Sequence, residues 1–157
     1  MKKIQTLGQT LIVAALLLTG TAGRSQDGVS KTGIVIGQSL ALTGPGSSLA
    51  QPFHQGAKLY FDSVNAAGGI NGRKINFISY DDGYSPPKAV EQARKLVESD
   101  EVLLVYGPLG TPSNSAIQKY MNSKKVPQLF VATGATKWND PKEFPWTMGW
   151  QPSYQSE

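Results

Sequence analysis

Residues 102–116, VLLVYGPLGTPSNSA, decide the fold. The first five are continuously apolar, the pattern of a strand buried on both faces of a parallel sheet. Glycine, proline and small hydroxyl residues then break the run. Beyond them Ala116, Ile117, Tyr120 and Met121 recur at helical spacing and predict one inward face. A buried strand that feeds a helix through a short Gly-rich turn is half of a βαβ unit, and the flanks must supply the rest.

They do so on both sides. Upstream, GIVIG (33–37) reads as a short strand bounded by glycines and SLALTGPGSSLA (39–50) as a loop. A helix follows over 52–67, with Phe53, Ala57, Tyr60, Phe61 and Val64 on one face. The glycines of GGINGR (68–73) end that helix and turn the chain into KINFISY (74–80), whose period of two marks a second strand. Residues 86–99 predict a second helix with the stripe Ala89, Val90, Ala93, Leu96 and Val97. Downstream of the opening stretch, QLFVA (128–132) is a fourth strand. The order β-α-β-α-β-α-β predicts an α/β fold: right-handed crossovers and a mostly parallel sheet flanked by helices.

In such sheets ligands bind outside the carboxyl ends of the strands. The loops at 37–51, 107–112 and 133–138 occupy that position, and all are rich in Gly, Ser, Thr and Ala. Small side chains let a ligand reach the backbone amides. In GPLGTPSNSA, Thr111 fits an N-cap and Pro112 the first helical position, which would turn the amides of Ser113 and Asn114 outward. A negative group such as a carboxylate would be favoured there. Thr111 and Ser113 either serve such a ligand or simply cap a helix.

Composition narrows the function. The chain has 157 residues, 39% of them hydrophobic and 17% charged, enough for one domain with a core. Lysines are scattered, with only Lys124 and Lys125 adjacent, so no basic face suits nucleic acid. There are no cysteines, which excludes a disulfide scaffold, a thiolate metal site, a cysteine nucleophile and a lipid-modified cysteine. The first 23 residues read as a cleavable signal peptide: MKKIQTLGQT is positive, LIVAALLL (11–18) apolar, and TGTAG (19–23) small. The apolar run falls short of the ~20 residues a bilayer needs, so no stable membrane insertion is expected. Without residues 1–23, the net charge of +4 falls to +2, because Lys2 and Lys3 leave. RSQDGVSKT (24–32) reads as a flexible mature N-terminus, and the protein is expected in the periplasm, not as a lipoprotein.

Signs of catalysis are weak. GQSLA (37–41) approaches the G-x-S-x-G nucleophile elbow, but Ala41 replaces the last glycine and a Gly/Pro loop follows where a helix belongs. His54, the only histidine, reads as a helix-surface residue. Asp81 and Asp82 stand where nucleotide-binding folds place a ribose-binding acid, yet no G-x-G-x-x-G follows the first strand; a solvated loop end fits better. No cofactor or metal is implied. Aromatics gather late, at Trp138, Phe144, Trp146, Trp150 and Tyr154; some could line a cleft, while Phe144 and Trp146 suit packing under a loop.

Together GIVIGQSLALTGPG (33–46), QGAKLYFDSVNAAGGINGRK (55–74), YDD (80–82), YGPLGT (106–111) and VPQLFVATGAT (126–136) resemble the periplasmic substrate-binding proteins of ABC importers, in the branched-chain amino-acid (Leu/Ile/Val)-binding family. The resemblance covers about residues 33–156. It implies a type I periplasmic-binding-protein fold of two α/β lobes that close on a ligand. Residues 33–148 would be the N-terminal ligand-binding lobe and 149–157 the first hinge crossing, with Pro152 to Glu157 opening a helix of a second lobe that is missing here. It further implies that Leu109, Gly110 and Thr111 hold the ligand's carboxylate and amine, that Gly134, Ala135 and Thr136 form a second contacting loop, and that Leu49 meets the ligand's side chain. Many amino-acid-binding members carry an aromatic residue near the position of Leu49 and a cysteine near that of Gly110. This chain has neither, which leaves amides, aliphatic acids and aromatic acids open.

The expected function is therefore non-enzymatic: an extracytoplasmic solute-binding component that takes a small carboxylate-bearing molecule, such as an amino acid, to an importer's membrane permease. A receptor's extracellular sensing domain is the alternative within the fold. An exported α/β hydrolase built around Ser39, or a purely structural module, are alternatives from other classes.

Overall fold

The computed structural model describes residues 28–157, so the expected signal peptide at 1–23 lies outside the described residues. The elements are β1 (Gly33–Leu40), α1 (Ser47–Ala66), β2 (Lys74–Asp81), α2 (Pro86–Glu98), β3 (Leu104–Tyr106), α3 (Thr111–Lys124), β4 (Gln128–Val131) and β5 (Thr147–Gly149). All five strands are parallel, in the order β2-β1-β3-β4-β5. The chain is thus a five-stranded α/β lobe of the expected class.

Its closed core lies under α2 and α3. Ala89, Ala93 and Leu96 of α2 meet Val102 and Val105 at β3 and Ile117 and Met121 of α3. Val90 and Val97, read on the same α2 stripe, pack partly buried against it. Full burial of a side chain such as Leu96 contributes about 2 kcal/mol by area alone.

Several elements differ from expectation, each for a tertiary reason. The sheet ladder with β2 carries β1 on to Leu40. Helix α1 begins at Ser47, because the Gly46 carbonyl accepts the amides of Leu49 and Ala50. Pro52 therefore lies inside the helix, where it offers no amide to the Ser48 carbonyl. Tyr60, expected inward, is exposed, and His54 is half-buried against Phe77 instead. On α3, Ile117 and Met121 are buried as expected, but Ala116 faces solvent. Ser113, Asn114 and Gln118 take its place inward.

β5, which the sequence pattern does not predict, extends the sheet beside β4 and includes Gly149, the first residue of the expected crossing. Residues 150–157 form turns and no helix. Within the segment expected to be flexible, residues 28–32 fold back on β1: Ser30 Oγ accepts the Gly33 amide at 2.9 Å, and the Val35 amide reaches the Gly28 carbonyl at 2.7 Å.

Candidate functional site

Between β1 and β3 the strand order reverses direction, so the loops after these two strands diverge and leave a crevice at their carboxyl ends. A cavity of about 540 Å³ occupies it. Pro45, Gly46, Leu49, Phe53 and Tyr84 form the wall on the β1–β2 side. Leu109 and Gly110 form the middle, while Thr133, Trp150, Pro152 and Tyr154 form the wall on the β4–β5 side.

Each part of this frame has an identifiable fastening. Asn114 Nδ2 donates to the carbonyls of Pro108 (2.9 Å) and Gly110 (2.8 Å), and Gln128 Nε2 donates to Asn114 Oδ1 at 2.7 Å. These bonds explain why α3 turns a polar residue inward: it ties the loop at 107–110 to the helix and to β4. At the end of β2, Asp81 accepts from Thr43 N (3.1 Å), Thr43 Oγ1 (2.5 Å) and Gly83 N (2.9 Å), which pins the loop after β1. Burial pushes the Asp81 carboxyl up, but these hydrogen bonds outweigh it and leave the pKa below the ordinary value.

Asp82 is not the solvated loop end expected from sequence. It is 1% exposed, accepts from Ser39 Oγ (3.0 Å) and Tyr84 N (2.8 Å), and has its pKa raised chiefly by burial. Ser39 is itself buried within β1 and committed to Asp82, so it does not stand on an exposed elbow. His54 Nδ1 lies 2.9 Å from Gln38 Oε1 and 3.1 Å from Ser79 Oγ, away from Ser39's partner, with its pKa lowered by burial and then by Lys58. A hydrolytic triad around Ser39 is not assembled.

Helix α3 is capped by Gly110, so Thr111 opens its first turn and makes no side-chain cap. Thr111 Oγ1 instead meets Thr133 Oγ1, which lies 3.0 Å from the Tyr154 hydroxyl. The hydrogen bond with Thr133, then one from the Gly134 backbone, lower the Tyr154 pKa. The amides of Thr111 and Ser113, in the first turn, have no acceptor four residues back within the helix.

Of the residues singled out from sequence, Leu49, Leu109 and Gly110 line the cavity. Thr111 joins it through Thr133, and Gly134 lies directly beneath the Tyr154 ring. Ala135 precedes a short 3-10 turn that Thr136 opens, and neither is among the wall residues. The late aromatics divide: Trp150 and Tyr154 line the cleft, Trp138 is buried, and Trp146 lies on the outside, 36% exposed. Phe53, Tyr84 and Thr133 were not singled out as ligand-facing. A signal existed for Thr133, which opens one of the three loops named from the strand-end rule.

Fold and crevice define a binding lobe of the doubly wound α/β type. The family model for periplasmic binding proteins matches residues 33–157, and the chain belongs to that family. It is 32% identical over 125 residues to the leucine-, isoleucine-, valine-, threonine-, and alanine-binding protein of Pseudomonas aeruginosa, covering 80% of this chain and 32% of that one. Among solved structures, a substrate-binding periplasmic protein from Ralstonia solanacearum superposes with a TM-score of 0.73 at 30% identity, over 79% of this chain and 35% of the other. A fatty acid ABC transporter substrate-binding protein from Thermomonospora curvata gives 0.61 at 33% identity, over 68% and 27%. The chain thus spans between 27% and 35% of the length of these relatives. The relatives are substrate-binding proteins, not enzymes.

Proposed function

We propose that this chain is the N-terminal ligand-binding lobe of an extracytoplasmic solute-binding protein that carries a small carboxylate-bearing solute to the membrane permease of an ABC importer. The observation that carries the reading is the crevice at the β1/β3 reversal, walled by apolar side chains and floored by donors of hydrogen bonds. No bond is made or broken there. The solute's carboxylate is held by the first-turn amides of α3 and by the hydroxyls of Thr111 and Thr133, where dipole and unpaired donors act together. Leu49 and Leu109 contact its apolar part. Gly110 keeps the backbone approachable, Gly134 makes room for the Tyr154 ring to close over the second loop, and Ala135 and Thr136 continue that loop.

Residues 33–148 form the lobe and 149–157 begin the crossing to a second one; closure of the two buries the solute and presents the closed form to the permease. Residues 1–23 direct export to the periplasm. Among the described residues no helix is long and apolar enough to cross a membrane.

Calorimetric titration of the full-length protein with carboxylic acids and the matching amides tests the reading. The acid should bind more tightly, and Thr111→Ala should weaken it by about 1–3 kcal/mol, the cost of a lost hydrogen bond to a charged group. An amide that binds as tightly as its acid overturns the carboxylate assignment.

A further inference from the structure

The hydroxyls of Thr111, Thr133 and Tyr154 are not independent donors, because they are bonded to one another. Thr111 Oγ1 meets Thr133 Oγ1, which lies 3.0 Å from the Tyr154 hydroxyl. The three come from separate elements: Thr111 opens α3, Thr133 follows β4, and Tyr154 lies on the segment leaving β5. Thr133, then the Gly134 backbone, and to a smaller degree Thr111 draw the Tyr154 pKa below its ordinary value, so all three act on one phenol oxygen. Thr133, at the centre, is 3% exposed, whereas Tyr154 is 58% exposed in the cleft wall.

Counting protons shows what the cluster can offer. Each hydroxyl has one proton to donate and two lone pairs that accept. With no other acceptor nearby, all three protons can be used within the cluster. When a carboxylate reaches the first turn of α3, one arrangement keeps both internal bonds and still leaves a donor. In it Tyr154 donates to Thr133, Thr133 donates to Thr111, and Thr111 turns its own proton to the carboxylate. The reverse arrangement presents only a lone pair at Thr111 and repels the solute. The Gly134 amide selects between them, because it acts on the Tyr154 oxygen and so favours the phenol as donor. Hydroxyls aligned in one direction also polarise one another.

The geometry points to Tyr154 as a positioning residue for the solute, on the solute-binding reading above: it sets the direction of a relay of three hydroxyls whose last proton, on Thr111, is donated in a hydrogen bond to the solute's carboxylate. Thr133 takes its part in holding the carboxylate through Thr111. The relay is built from this lobe's own groups, so it operates whatever donors or acceptors a second lobe brings. Gln151, another polar side chain in the wall, stands outside it.

Ionising Tyr154 reverses the relay, because a phenolate only accepts. Both threonine protons then turn inward, and a negative charge is added beside the carboxylate's place. The other titratable groups in the wall are Tyr84, across the cleft, and Glu157, whose charge opposes ionisation of Tyr154. Lys137, on the short 3-10 turn that follows Gly134 and Ala135, is bonded to Ser115 Oγ and lies over the Trp138 ring.

The test is calorimetry of the full-length protein with L-leucine, hexanoate and benzoate, the tightest of which is carried through the variants. Tyr154→Phe keeps the ring over Gly134 and removes only the hydroxyl. It should weaken that solute about fivefold at pH 7, the size of one hydrogen bond, while Tm stays within a degree or two of the parent. Thr133→Val should weaken it at least as much, and adding Tyr154→Phe to Thr133→Val should cause no further loss. Between pH 7 and pH 10 the parent should lose at least twofold more affinity than Tyr154→Phe, since more than half of a phenol with its pKa below 10 is ionised there. Parent affinity in Tyr154→Phe overturns the relay, as does an equal pH dependence in the two proteins. Losses that multiply in the double variant place Tyr154 in direct contact with the solute and also overturn it. Each of these outcomes leaves the solute-binding reading standing. Failure of all three solutes to bind overturns the carboxylate reading, and the relay with it.

Discussion

The two walls of the cleft are held in different ways. On the β1–β2 side, two adjacent carboxylates gather four residues: Asp81 holds Thr43 and Gly83, and buried Asp82 holds Ser39 and Tyr84. The Tyr84 ring then rests on Gly110. On the other side, residues 150–157 reach the lobe through the Tyr154 amide on the Gly134 carbonyl (2.8 Å) and the Tyr154 hydroxyl beside Thr133, while Trp150 and Tyr154 remain largely exposed. Buried, multiply bonded groups open only with the whole domain, whereas lightly anchored segments open locally. The first wall is therefore part of the folded unit, and the second is a latch laid over it.

Gly110→Ala gives the largest expected effect, because it strikes the fixed wall. Gly110 has φ +95°, a conformation that side chains rarely adopt, and an added Cβ would lie 2.4 Å from Tyr84 Cε2. The Tyr84 ring packs against the buried cluster of Leu40, Ala41 and Ala50, which limits how far it can swing away. The cost should be about 3 kcal/mol, combining backbone strain with the displaced ring. Thermal unfolding would register this as a fall in Tm of roughly 10 °C for a domain of this size. A fall of a degree or two would mean that the first wall yields as easily as the second.

Asp82 sharpens the comparison through its charge. Burial raises its pKa, so the fold disfavours the ionised form, and this group's contribution to stability declines as pH climbs from the ordinary carboxylate range through the raised value. Asp81 acts oppositely: its lowered pKa adds stability above the ordinary range that is lost as pH falls through the depressed value. Asp82→Ala, which strips the acceptor from the Ser39 hydroxyl and the Tyr84 amide, should cost about 2 kcal/mol. Asp82→Asn, which retains a carbonyl acceptor and removes the disfavoured charge, should cost less at pH 7. Urea unfolding of both variants at pH 7 and pH 5 decides it; an Asn variant as unstable as the Ala variant would show that the fold depends on the ionised carboxylate.

Much of this frame was legible in the sequence. Strands β1 to β4 and three helices announced themselves by periodicity or by continuous apolar runs, and the strand-end rule pointed to the loops that now bound the cavity. What escaped was set by tertiary partners. β5 is no shorter than β3 but lies in TMG, with no apolar run like VLLVY to mark it, and it is held by the Gln128 amide pairing with the Trp146 carbonyl. Asn114 is buried on α3 because the Pro108 and Gly110 carbonyls need a donor, and apolar periodicity carries no trace of that need. Asp82 reads as half of an exposed acidic pair because the two adjacent acids look alike in sequence, whereas its burial depends on Ser39 and Tyr84, partners that no local pattern reveals. Phe53 and Tyr154 line one cavity although about a hundred residues separate them, beyond the reach of any local motif.

The smallest expected effect falls on the latch. An added Cβ at Gly134 would lie 2.6 Å from Tyr154 Cδ1 and 2.8 Å from the Pro152 carbonyl oxygen, as close as the contact at Gly110. Gly134 has no positive φ, however, so the substitution strains no backbone of its own. If residues 150–157 are lightly held, they move off the lobe and the domain loses only two hydrogen bonds at an exposed edge, under about 1 kcal/mol in total. Gly134→Ala should thus leave the unfolding midpoint within a few degrees of the parent while hydrogen exchange across 150–157 accelerates. Two substitutions that meet equally close contacts would then differ severalfold in cost. The difference would measure how firmly each wall is joined to the domain, because the crowding at the two glycines is nearly the same. A loss at Gly134 as large as that at Gly110 would place both walls in one cooperative unit.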